Sequence, residues 1–172
     1  MRDHFEVCAQ CESPDMSDLF RSPLMTVQSD WIDYNGHLNM AYYNVLFDRG
    51  ADAWFEEFGV NAARARDTGL STFSAEFHVC YLHEVHEGDH VYVTSQLLDF
   101  DEKRFHFFQQ LHHEDGWVSA TGEGMGLHID LSGPKVTAMP PDLVGHLQRT
   151  LDAHSKLPRP ERAGRRIGIP RG

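Results

Sequence analysis

Between residues 70 and 130 apolar and polar positions alternate with the two-residue period of a sheet that buries one face. In "STFSAEFHVCYL", Phe73, Ala75, Phe77, Val79 and Tyr81 alternate with Ser74, Glu76, His78 and Cys80, which predicts a strand with the first set inward. "DHVYVTSQLLDF", "KRFHFFQQLHHE" and "WVSATGEGMGLHIDL" continue the pattern. Their connectors, "HEGD", "DFDE" and "HEDG", are short and rich in turn formers, so antiparallel hairpins are expected. Upstream the period changes: Tyr43, Leu46, Phe47, Gly50, Trp54 and Phe58 recur at three and four residues, predicting an amphipathic helix over 40–58 with Gly59 as its stop. Gly50 on the apolar face marks either a close approach or a tolerated helix glycine.

Three further elements complete the chain. "FRSPLMTVQSDWI" at 20–32 reads as a short strand with Pro23 near its start, where a missing N–H costs least. "NAARARDTG" predicts a second, short helix, and "PPDLVGHLQRTLDAH" a final one with prolines in its first turn. The sum is an α+β fold, a curved antiparallel sheet of about five strands wrapped around one long central helix. A single domain is expected at 20–155, between a flexible arm at 1–19 and a disordered basic tail at 156–172. An open sheet edge predicts a homodimer or a dimer of dimers.

Composition narrows the function classes. The chain has 172 residues, 41% of them hydrophobic and 24% charged, so it is neither a disordered nor a membrane composition. The first residues, "MRDHFEVCAQCESPDMSDLF", interrupt any apolar run with polar groups, so a soluble cytoplasmic protein without a membrane partner is expected. Three cysteines rule against a disulfide framework. Cys8 and Cys11 form a CxxC with only His4 nearby as a further ligand, so no metal and no cofactor is expected. The formal charge of −11 conceals an asymmetry, because "KLPRPERAGRRIGIPRG" from Lys156 onward carries +5 and the remainder −16. Nucleic acid is thus an unsuitable ligand for the folded body, while the tail could meet a phosphate or stay solvated.

The densest candidate chemistry lies in "WIDYNGHLNMAYYN", beginning at Trp31. Asp33, Asn35, Gly36, His37 and Asn39 exceed what one helix cap requires. The first N–H groups of the following helix lack internal partners and lie at its positive end, where they suit an anion or a polarised carbonyl oxygen. Gly36 lets the backbone pass close to a ligand. An acid beside such a helix start can hydrolyse an activated acyl group, as nucleophile or as base for water. The same residue types also serve as plain turn formers and caps.

"DYNGHLNMAYY" resembles the signature of the hot-dog fold acyl-CoA thioesterases of the 4-hydroxybenzoyl-CoA thioesterase type, and the element order matches over roughly 20–150. The resemblance implies Asp33 as the catalytic carboxylate and the backbone N–H of Met40 as the group that polarises the thioester carbonyl. It makes Gly36 the turn glycine and His37 and Asn39 orienting or structural residues. "WIDYNGHLN", "VTSQLLDFDEKRFHFF" and "LHID" together look like betainyl-CoA thioesterase-type domains, which implies an acyl-CoA substrate with a quaternary ammonium group. Tyr42, Tyr43 and Trp54 could offer it an aromatic surface, unless they are core residues, and the acidic body favours a cation.

Glu76, His78, Glu84 and Glu123 could add a second carboxylate or position water, and His106 could reach a substrate pocket; each could equally be an ordinary strand residue. Lys103, Arg104 or the tail could meet the CoA phosphates. Two other readings stay open: a hydratase or dehydratase acting on an acyl thioester on the same fold, and a non-catalytic acyl-CoA binding module. The hydratase pattern wants Pro where Gly36 stands and a His further from the acid than His37.

Overall fold

The structure is a computed structural model that describes residues 19–169. Cys8 and Cys11, and with them the CxxC, lie outside the described residues, as does nearly all of the expected N-terminal arm. Twelve residues of β3 (Leu70–Tyr81), eleven of β4 (His90–Phe100), ten of β5 (Arg104–His113) and thirteen of β6 (Val118–Asp130) form the body of an antiparallel sheet. Two short strands, β1 (Phe20–Arg21) and β2 (Met25–Thr26), pair with β4, and β7 (Lys135–Val136) pairs with β6. The order is β1-β4-β5-β6-β3, so β3 ends the sheet on one side.

The long helix α1 (Met40–Glu57) lies across the sheet, and the short α2 (Ala62–Thr68) leads into β3. Helix α3 (Pro141–His154) closes one end of the layer between α1 and the sheet. Two apolar clusters fill that layer. One gathers Trp31, Tyr43, Leu46, Phe47, Val91, Val93 and Leu111 near the start of α1. The other gathers Trp54, Phe58, Leu97, Phe105, Phe107, Leu143 and Leu147 near its end.

Close approach is built from glycine. A Cβ at Gly50 would stand 2.6 Å from that of Val93, which settles its role as a contact point between α1 and β4. On β6, Gly122, Gly124 and Gly126 share one face, and the rings of Phe77, Phe107 and Phe105 occupy the space their side chains would fill.

Two expectations need correction. The strand expected over 20–32 is two short pieces followed by a 3-10 turn, Ser29–Trp31. Pro23 has no N–H for the ladder, and beside it Ser22 Oγ, rather than a backbone carbonyl, accepts the Val93 N–H at 2.9 Å. The inward set of β3 is also incompletely buried, with Phe73 and Tyr81 each 46% exposed. β3 is an edge strand with a register shift between Ser74 and Glu76, so it has a neighbouring strand on one side only.

Candidate active site

The connection into α1 is held by backbone geometry. Asp33 Oδ1 accepts the Asn35 N–H at 2.8 Å, its carbonyl accepts the Gly36 N–H at 3.0 Å, and its own N–H donates to the His37 carbonyl at 3.0 Å. Gly36 has φ +86°, a conformation that side chains disfavour, so the reversal depends on it. Leu38, 1% exposed, anchors the turn by donating its N–H to the Val85 carbonyl at 2.8 Å.

Asn39 then caps the helix. Its Oδ1 accepts the Ala41 N–H at 3.0 Å, its carbonyl accepts the Tyr42 N–H at 2.9 Å, and its own N–H donates to the Trp31 carbonyl at 2.9 Å. The Met40 N–H is left without an acceptor among the described residues, at the positive end of an 18-residue helix.

Met40 lines, with Asp33, Tyr34, His37, Tyr43, Tyr81 and Glu84, a cleft of about 570 Å³. The Asp33 side chain is 16% exposed in its wall, and His37 stands between two carboxylates, Nδ1 3.9 Å from Asp33 and Nε2 3.8 Å from Glu84. The rings of Tyr43 and Tyr81 meet edge to face at 5.0 Å. Burial pushes both phenol groups above the ordinary tyrosine value, which favours their neutral form. The cleft thus combines a carboxylate, an unpaired N–H donor and two aromatic rings, the parts needed to attack a polarised carbonyl.

Other candidates lie elsewhere. Tyr42 stacks on Trp31 at 5.5 Å, against the first apolar cluster. Trp54 is 2% exposed in the second cluster and does not line the cleft. His106 pairs with Glu123 at 2.8 Å and, with Glu76 and His78, lines a separate hollow of about 430 Å³. Lys103 lies 3.2 Å from Glu102. Arg104 is bound to Asp101, and its guanidinium holds that carboxyl down to about 2. Tyr81 was not legible as a cleft residue, because in the alternating pattern it reads as one more inward position of β3. Its only signal is being the last one before "HEVHEGD".

Among the described residues, no group of three or more His, Cys, Asp or Glu is placed to hold a metal ion. No helix among them is long and apolar enough to cross a membrane.

The model of the Thioesterase-like superfamily matches residues 27–147. A betainyl-CoA thioesterase from Pseudomonas aeruginosa is 36% identical over 156 residues, 90% of this chain and 98% of that one. An L-carnitine dehydrogenase/betainyl-CoA thioesterase from Rhizobium meliloti is 37% identical over 158 residues, 91% of this chain but 32% of that longer protein. Among solved structures, a Staphylococcus aureus protein in complex with CoA superposes with a TM-score of 0.82 at 30% identity, covering 88% of this chain and 96% of its own. The 1,4-dihydroxy-2-naphthoyl-CoA thioesterase from Synechocystis shares the fold at a TM-score of 0.66 and 15% identity, over 78% of this chain and 98% of that one.

Proposed function

The chain belongs to the Thioesterase-like superfamily and is a thioester hydrolase of the hot-dog fold, and from that premise we propose that it hydrolyses an acyl-CoA with a short cationic acyl group, of which betainyl-CoA is the type. The observation that carries the reading is that Asp33 and Met40, whose N–H has no acceptor among the described residues, line one cleft. The thioester carbonyl takes the Met40 N–H, and negative charge forming on its oxygen is stabilised by that donor and the helix end behind it. Asp33 either attacks the carbonyl carbon, giving an anhydride that water then opens, or removes a proton from the attacking water. CoA leaves as its thiolate by both routes. His37 positions the acid, Asn39 fixes the helix start, and Gly36 sets the turn.

The acyl preference follows from distance. In a betainyl thioester one methylene separates the carbonyl from the quaternary nitrogen, so the cation has to sit in the same cleft as Asp33. Tyr43 and Tyr81 supply ring faces there and Glu84 a negative charge. Support also comes from the betainyl-CoA thioesterase of Pseudomonas aeruginosa at 36% identity. The exposed β3 edge, with Phe73 and Tyr81 each 46% exposed, supports assembly as a homodimer through that edge.

The test is free-thiol release from acetyl-, benzoyl-, long-chain and betainyl-CoA, run with the wild type and Asp33→Asn. The expected result is fast release from betainyl-CoA that the substitution abolishes. Equal rates in the two proteins, or release from none of the thioesters, would overturn the reading.

A further inference from the structure

The Asp33 cleft gathers apolar surface that the core does not use. Three of the large apolar side chains that stay exposed among the described residues, Tyr34, Met40 and Tyr81, line it. Single exposed apolar residues are ordinary, whereas a group of them around one concavity marks a ligand surface. The same lining holds two carboxylates, Asp33 and Glu84, and no lysine or arginine. It therefore suits a ligand that is cationic and apolar at once.

Tyr34 is the extreme case, 98% exposed. Its backbone is nevertheless held. The turn is closed at its base by the bridge between Ile32 and Leu38 and by the Asn39 N–H on the Trp31 carbonyl at 2.9 Å. The residues on either side of Tyr34 are tied to each other, the Asn35 N–H donating to Asp33 Oδ1 at 2.8 Å. At the tip of this fixed turn the phenol ring has neither a ring contact nor a hydrogen-bond partner among the described residues. Such a side chain can change rotamer and leave Asp33 beside it in place.

Tyr43 and Tyr81 by themselves make an incomplete site for a cation. Their rings, 5.0 Å apart with 75° between the planes, form a corner, and Tyr43 is only 4% exposed. A cation in an open corner keeps water on its outer side, and its attraction to aromatic faces grows when that water is removed. Tyr34 lies in the same lining and belongs to the turn before α1 rather than to β3, so pairing of β3 edges between two copies makes no use of its backbone.

We propose that Tyr34 closes over the quaternary ammonium of the bound acyl group, as the third wall of an aromatic cage with Tyr43 and Tyr81, and so sets the preference for a cationic acyl group over a neutral one of the same shape. The proposal rests on the acyl-CoA reading above.

The test substrate beside betainyl-CoA is tert-butylacetyl-CoA, in which carbon replaces the quaternary nitrogen and the shape is kept. The wild type should favour betainyl-CoA in kcat/KM. Tyr34→Leu is expected to reduce that preference about tenfold, through KM for betainyl-CoA, and Tyr34→Phe to retain it. Equal losses on the two substrates in Tyr34→Leu, or an unchanged ratio, overturn the proposal and leave hydrolysis intact. Calorimetry in an Asp33→Asn background repeats the comparison without turnover, and there the leucine substitution should weaken betainyl-CoA alone, again about tenfold. If neither thioester is hydrolysed by the wild type, the hydrolase reading has failed and the calorimetry still decides: an effect confined to betainyl-CoA supports the cage, and its absence overturns it. Tetranitromethane, which nitrates accessible tyrosines, should modify Tyr34 in the ligand-free protein and spare it when betainyl-CoA is bound to Asp33→Asn. Modification undiminished by the ligand overturns the closure, and a Tyr34 unreactive in the ligand-free protein lies against a partner subunit and overturns it too.

Discussion

Gly50 of the central helix stands so close to Val93 that a Cβ on the glycine would lie 2.6 Å from the valine Cβ and 2.8 Å from both of its γ carbons. Val93 is fully buried and has nowhere to move. Alanine is the better helix former by about 1 kcal/mol, yet overpacking of this kind costs about 1–3 kcal/mol, so packing decides the sign. Gly50→Ala is expected to lower the urea midpoint at unchanged slope. A midpoint equal to or above the wild type would show that helix and sheet can part at this crossing without loss.

Asp33→Asn is expected to lower kcat by about 10²–10⁴ while secondary structure and Tm stay near those of the wild type. The asparagine keeps an oxygen for the Asn35 N–H, so the turn survives and only the charge is lost. Circular dichroism beside the thiol-release assay separates the two effects.

Tyr81 distinguishes a cation site from a merely apolar wall. Replacing its ring in Tyr81→Leu should raise KM for betainyl-CoA by about 5–30-fold, corresponding to about 1–2 kcal/mol, and barely alter KM for acetyl-CoA. Tyr81→Phe should retain betainyl affinity. Parallel rises on both substrates in the leucine variant would assign Tyr81 to general packing.

His112 lies against Tyr92 at 4.9 Å between ring centroids, with Thr94 Oγ1 3.0 Å from its Nε2. Burial lowers its tendency to take a proton, and the positive charge of nearby Arg21 adds to this. The unfolded chain then binds that proton more readily than the folded one. The stabilising effect of a neutral His112 is complete above about pH 6.5 and is lost as pH falls through that value toward the lower folded one. Urea unfolding at about pH 7.5 and about pH 5.5 should show a smaller loss of stability in His112→Gln than in the wild type. Identical losses would mean that the ring is protonated as readily when folded as when free.

The fold was legible wherever one periodic pattern faced one partner. The helix read from Tyr43, Leu46, Phe47 and Trp54 over 40–58 is Met40–Glu57, because those residues meet the sheet along their whole length. The four long strands were equally plain. Legibility failed where burial depends on what lies opposite. Phe73 and Tyr81 alternate correctly, but no period tells that β3 is the edge strand and leaves them half-exposed.

The site was legible to the extent that it is local. Asp33, Gly36, His37, Asn39 and Met40 are consecutive or nearly so, and their hydrogen bonds close within the turn. Tyr43, Tyr81 and Glu84 reach the same cleft from α1, β3 and the loop after it, a convergence that exists only once the sheet has formed. Tyr42 and Trp54 lie on the same helix as Tyr43, and a helical period by itself does not say which of its aromatics will meet the cleft and which the core.

The glycines of β6 bear on how this protein can change. At Gly122, Gly124 and Gly126 the strand adds no side chain to the interior, and aromatic rings from its two neighbours, β3 and β5, lie over bare backbone. That close packing is therefore set in a strand that contributes nothing to the lining of the Asp33 cleft. Tyr34 and Glu84, exposed in that lining, can vary without disturbing the packing, whereas any side chain at those three glycines would drive a phenyl ring out of its place. The lining of the cleft and the shape of the backbone thus rest on separate residues, and the first can drift while the second is held.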